Sequence, residues 1–147
     1  MDKDSYATHP VRATYEALNR KDLIAMLDLV SDDIELLDIP SGMTHHGKEA
    51  YASYFDNWIK GFPDGTGEIT HLIGDEDEAV AEVIATGTHQ GSFNLPGQTV
   101  EATGRRLDLP FCQIFEIEDG KITKIHSYYD LTTIFRNLGL ETFSRAA

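Results

Sequence analysis

The stretch FEIEDGKITKIHSYYDLTTIFRNLG, Phe115 to Gly139, holds one reversal of chain direction and one change of period. Asp119–Gly120 separates two runs rich in β-branched and aromatic residues, the pattern of a tight β-hairpin. Beyond Asp130 the period lengthens: Leu131, Ile134, Phe135 and Leu138 recur at helical spacing, and Gly139 follows as a stop. A long antiparallel pair that runs directly into a short helix is a signature of α+β organisation rather than of a wound parallel sheet. Asp130 stands at the junction and reads in two ways, as the N-cap of the helix or as a carboxylate at a strand end that opens onto a pocket.

Working outward, the chain before the hairpin is also strand-like. A long strand is expected from about Arg105 to Glu118. The runs EITHLIG and AVAEVIATGTHQGSF flank an acidic turn at Asp75–Glu78, and NLPGQ reads as a loop. The first third is helical in pattern. Val11, Tyr15 and Leu18 share one face, and Asp22 caps a second helix whose apolar face is Leu23, Met26, Leu27 and Val30. DIELLDIP reads as a short strand stopped at Pro40, and a turn with Gly42 and Gly47 leads to a third helix. There Tyr51, Tyr54, Phe55 and Trp58 form an aromatic stripe, ended by the breaker KGFPDGTG at Lys60–Gly67. The expected fold is therefore one α+β domain over residues 1–147, with its core at about 11–140. N-terminal helices pack on a strongly curved, mostly antiparallel sheet, a short C-terminal helix closes the chain, and the resulting cone encloses a pocket.

Composition narrows the function. Twenty-five acidic residues against 12 basic ones give a formal charge of −13 over 147 residues, with no basic cluster. Such a surface repels phosphate backbones and anionic lipid, so neither nucleic acid nor membrane is an expected partner. Cys112 is the sole cysteine and lies in an apolar run, which reads as an inert thiol. The N-terminus MDKDSYATHP lacks the pattern of a signal peptide, and no apolar run reaches membrane-spanning length; a reducing, cytoplasmic setting is expected. No G-x-S-x-G elbow, phosphate loop or dinucleotide fingerprint occurs, and His45–His46 are adjacent with no second ligand pair, so neither metal nor cofactor is expected.

Several residues could carry chemistry. Leu107, Leu109, Phe111, Phe115 and Ile117 alternate onto one strand face that Gln113 interrupts, so Gln113 must find partners there, in a loop or on a ligand. His89, between the glycines of GTHQG, can donate to a developing oxyanion or face solvent from a turn. Asp38 ends a short strand just before Pro40. His126, Tyr128 and Asp130 share a strand face unless a bulge intervenes. The apolar Ile122 and Ile125, on opposite faces, leave a bulge open.

The order of elements resembles the nuclear transport factor 2-like superfamily of conical α+β domains. Within it, GTHQGSF, FEIEDGKITKIHSYYD and FRNLGL resemble the SnoaL-like polyketide cyclases and ester-cyclase-like proteins. LLDIPSG departs from the latter, which often carry a histidine-containing segment where Asp38 stands here. The resemblance implies a cofactor-free acid–base enzyme closing a carbonyl-rich hydrophobic molecule by an intramolecular aldol step, or an isomerase. Asp130 would be the acid–base and His89 a catalytic donor. Gln113, Tyr15, Tyr51, Trp58, Asp38, His126 and Tyr128 would contact the substrate. It also implies a homodimer through the open sheet face. The alternatives are a non-catalytic ligand-binding or dimerisation domain, or an epoxide hydrolase or dehydratase using Asp38 with Asp130.

Overall fold

The structure, a computed structural model, describes residues 6–140. The first residues of the N-terminal reading, 1–5, lie outside them, as do residues 141–147 at the far end of the expected domain. Helix α1 (Thr8–Asn19) and the single turn α2 (Leu23–Leu27) lead into β1 (Val30–Asp38) and β2 (Met43–His46). Helix α3 (Lys48–Gly61) precedes β3 (Thr66–Gly74), β4 (Glu78–Thr88), a small hairpin of β5 (Phe93–Leu95) and β6 (Gln98–Val100), β7 (Arg106–Glu118), β8 (Lys121–Tyr129) and α4 (Leu131–Leu138). Six strands form one sheet in the order β2-β1-β8-β7-β4-β3. Every neighbouring pair is antiparallel except β1–β8, which the intervening chain joins in parallel.

The α+β expectation holds, with three local differences. Asp22 does cap α2, accepting the Ala25 amide at 3.0 Å, but the helix has only five residues, and Val30 belongs to β1 rather than to its face. The segment between Gly42 and Gly47 is a strand, because β1 offers an unpaired edge that Met43–His46 completes. NLPGQ is the turn of the β5–β6 hairpin, with Gly97 at φ 78.

One register feature organises the interior. Between the pairs Glu116–Lys124 and Ile117–Ile122 one residue of β8, Thr123, has no partner, which is a β-bulge. It lets both Ile122 and Ile125 point inward, and it sets the alternation that follows: Ser127 and Tyr129 inward, His126 and Tyr128 outward. On β1 the inward row is Ile34, Leu36 and Asp38. On β7 it is Leu107, Leu109, Phe111, Gln113, Phe115 and Ile117, as the alternation predicts.

Strand pairing then stacks these rows side by side. Leu36, Ile125, Phe115 and Ala79 cross the sheet as one apolar line, and the neighbouring line is Asp38, Ser127, Gln113 and Ala81. The first belongs to a core closed by Val11, Tyr15, Met26 and Tyr51 from the helices. A second core, at the other end of the cone, gathers Phe62, Phe93, Leu107, Leu109, Ile134 and Leu138. The polar line and the space beside it fall between the two.

Candidate active site

The cavity lies between α1, α3 and the inner sheet face, with about 690 Å3 of free space, its open mouth included. Its walls are apolar: Leu18 from α1, Phe55, Trp58 and Ile59 from α3, and Phe62, Ala85, Leu107, Leu109 and Phe111 around them. Helical spacing puts Tyr54, Phe55 and Trp58 on one side of α3, which explains how three rings reach one wall. The rings brace one another: Trp58 lies 4.8 Å from Phe93 and 6.0 Å from Phe62 between centroids.

Two polar groups interrupt this lining. In the first, the Tyr15 hydroxyl donates to Gln113 Oε1, and Gln113 Nε2 donates to Ser127 Oγ at 3.2 Å. Gln113 is only 4 % exposed, so these bonds offset the cost of burying an amide. One N–H of the amide remains for another acceptor. The second group centres on Asp38, 3 % exposed at the end of its strand. Tyr54 donates to Asp38 Oδ1 at 3.0 Å, while Tyr129 at 3.1 Å and Ser41 at 2.6 Å donate to Oδ2. A carboxylate has about four acceptor positions, so one of those on Oδ1 is left open.

Burial pushes the phenols of Tyr15, Tyr54 and Tyr129 well above the usual range, and the neighbouring Asp38 adds to this for Tyr54 and Tyr129. All three therefore serve as neutral O–H donors at physiological pH.

The residues expected from the sequence divide clearly. Tyr15, Trp58 and Gln113 line the cavity, and Asp38 meets it through Tyr54 and Tyr129. Tyr51 does not line it; it sits in the first core, ring to ring with Phe55 at 4.9 Å, and its buried hydroxyl has no partner among the described residues. His126 and Tyr128 are on the outer sheet face because of the bulge at Thr123. Asp130 also lies outside the cavity. It is exposed and caps α4, accepting the Thr132 amide on Oδ1 at 2.9 Å and the Thr133 hydroxyl on Oδ2 at 3.1 Å.

His89 is fully buried but not at the cavity wall. Its Nδ1 accepts the Thr103 amide at 3.1 Å and lies 2.9 Å from the Thr103 hydroxyl, while its backbone bonds Arg105 and Gly104. An Nδ1 that accepts an amide N–H leaves the neutral ring's proton on Nε2, which has no partner at bonding geometry. Burial lowers its pKa; the nearby carbonyls of Val100 and Gly91 oppose this only in part. His89 thus clamps the segment between β6 and β7.

Sequence reading alone missed Tyr54, Ser127, Tyr129 and Lys21 as lining residues. The conflict between Ile122 and Ile125 was the available signal for Ser127 and Tyr129, since placing the bulge on β8 puts both inside. Lys21 gave no such signal. It follows α1 in the left-handed region, at φ 62, where its backbone amide closes the helix onto Leu18 and its side chain turns over the cavity mouth. Among the described residues no group of three His, Cys, Asp or Glu side chains could hold a metal, and no helix is long and apolar enough to cross a membrane.

The comparisons with known proteins agree with this architecture. The SnoaL-like domain family matches residues 11–125. The chain belongs to that family. Its fold is shared with TsrD from Streptomyces laurentii, at 23% identity and a TM-score of 0.79, covering 96% of this chain and 99% of that one. A protein assigned as a polyketide cyclase from Xanthomonas campestris aligns at 28% identity and a TM-score of 0.74, over 90% of this chain and 96% of that one. A protein of ketosteroid isomerase-like fold from Catenulispora acidiphila, solved with trimethylamine, aligns at 18% identity and 0.74, over 95% and 99%. No curated protein matches by sequence.

Proposed function

We propose that this SnoaL-like domain is a cofactor-independent acid–base enzyme acting on a hydrophobic carbonyl compound, with Asp38 rather than Asp130 as the proton carrier. The observation that carries this reading is a buried carboxylate held by two phenols that themselves line an apolar cavity. Asp38 takes a proton from a carbon beside a carbonyl, and the C–H electron pair moves into the carbonyl to form an enolate. The remaining N–H of Gln113, oriented by Tyr15 and Ser127, donates to the enolate oxygen; one such donor in a dry site is worth about 3 kcal/mol. The enolate carbon then attacks a second carbonyl of the same molecule, as in polyketide-cyclase chemistry, and Asp38 returns its proton to the alkoxide so formed; in the isomerase alternative Asp38 returns the proton to another carbon of the conjugated enolate. Hydrolysis or dehydration by Asp38 with Asp130 lacks geometric support, since Asp130 is turned to solvent by its capping bonds.

A second reading, a binding domain without chemistry, is favoured by the three hydroxyls that already occupy Asp38. One experiment separates the two. Deuterium uptake next to the carbonyl of 2-tetralone, a bicyclic ketone, is followed by NMR. The enzyme reading expects acceleration by the wild-type chain and by Asp130→Asn, and its loss in Asp38→Asn. Equal rates with wild type and Asp38→Asn would overturn it in favour of binding.

We also propose a homodimer through the outer sheet face, where Ile73, Ile84, Pro110 and Tyr128 are exposed and Cys112 is half-buried. Sedimentation at micromolar concentration should give twice the chain mass, and a charge introduced by Ile84→Lys should shift it to the monomer.

A further inference from the structure

We propose that Lys21 makes the cavity selective for hydrophobic molecules that carry an anionic group, such as a carboxylate or sulfonate, at the end left in the mouth. This rests on the reading of the cavity as a ligand site and adds the chemical class of the ligand. Among the described residues Lys21 is the only charged side chain in the lining. Its ammonium donates to the Gly65 carbonyl across the mouth, which uses one of three N–H groups. Among the described residues no carboxylate is within ion-pair distance of it. The nearest acid to act on it, Asp64, has both oxygens turned to Thr88, one on the amide at 2.7 Å and one on the hydroxyl at 2.9 Å.

The placement is also conformationally specific. A left-handed residue after a helix is ordinarily glycine or asparagine, and a lysine there carries steric cost. In a chain of net charge −13 the surrounding field disfavours anions. A lone ammonium with unpaired donors at the rim of an apolar cavity reverses that locally. An anionic end would lie at Lys21 while the apolar body passes Leu18 and Phe55 toward Gln113.

Two probes with one aromatic frame test this: 8-anilinonaphthalene-1-sulfonate and the uncharged N-phenyl-1-naphthylamine, titrated by fluorescence. Lys21→Met keeps the apolar stem and removes the charge. It should weaken the sulfonate roughly fivefold and leave the neutral probe unchanged, while Lys21→Arg retains both affinities. Raised salt should weaken the sulfonate in the wild type and not in Lys21→Met. Unchanged sulfonate affinity in Lys21→Met, or equal weakening of both probes, would overturn the proposal and leave Lys21 a clasp on Gly65. Ala85→Phe, or the milder Ala85→Leu should the larger ring prevent folding, fills the cavity and should weaken both probes. Binding of the neutral probe unaffected by the filling refutes the cavity reading and this inference with it. Loss on filling without charge discrimination at Lys21 refutes the inference alone.

Discussion

The bond between Tyr15 and Gln113 joins the first helix to the seventh strand, and its removal from either side should have unequal effects. In Gln113→Leu, the buried Tyr15 hydroxyl loses its acceptor and Ser127 loses a donor. A buried donor without a partner costs about 1–3 kcal/mol, and the added apolar contact offsets part of this, so about 2 kcal/mol is expected. Tyr15→Phe removes the donor instead and orphans one lone pair of an amide that keeps Ser127, for about 1 kcal/mol. With both changes neither Tyr15 nor Gln113 is left to orphan the other, and only the loss at Ser127, already present in Gln113→Leu, remains. The double variant should then cost about 1 kcal/mol rather than the 3 or so of simple addition, a coupling of about 2 kcal/mol. Urea unfolding of the four proteins measures the cycle. In a thermal melt, Gln113→Leu should lower Tm by about 4–8 °C at this chain length. Single-variant costs that add to within about 0.5 kcal/mol would refute the claim that these two side chains satisfy each other.

Asp130→Asn should leave the melt almost unchanged, since Asn caps about as well, whereas Asp130→Ala should cost about 1 kcal/mol by removing the acceptor for Thr132 and Thr133. His89 supplies a pH dependence whose sign follows from its lowered pKa. The unfolded histidine, with a value of about 6.5, binds its proton first, so the stabilisation is complete above that pH and falls as pH drops toward the lower folded value. Urea midpoints taken from neutral pH downward should therefore fall more steeply for the wild type than for His89→Asn, which cannot titrate there. Gly91→Ala should destabilise by about 1–3 kcal/mol in a denaturant melt, because its Cβ would come within 2.0 Å of the Lys60 carbonyl oxygen.

Local pattern was sufficient for much of the fold. Turn chemistry at Asp119–Gly120, the helical spacing after Asp130 and the Gly139 stop are short-range features, and each appears where the residues place it. The inward set of β7, Gln113 included, followed from the two-residue period alone, because a strand alternates faces whatever it packs against. Asp130 as a cap was equally local. A short side chain before a helix bonds the exposed amides of its own first turn.

The site itself depended on pairing between distant strands. A single unpaired residue, Thr123, exchanges the faces of everything after it, and this is why Ser127 and Tyr129 line the cavity while His126 and Tyr128 do not. Asp38 is at the end of its strand in the sequence, yet only the parallel register of β1 against β8 sets it beside Ser127, and only α3 brings Tyr54 to it. Lys21 reaches the mouth because a helix end turns left-handed and the Gly65 carbonyl stands opposite, some forty residues on. Period and capping act within a few residues and are written in the residues themselves. Register, bulges and the meeting of α1, α3 and the sheet are set by which distant surfaces bury one another, so the tertiary structure alone selected the polar groups that share the cavity.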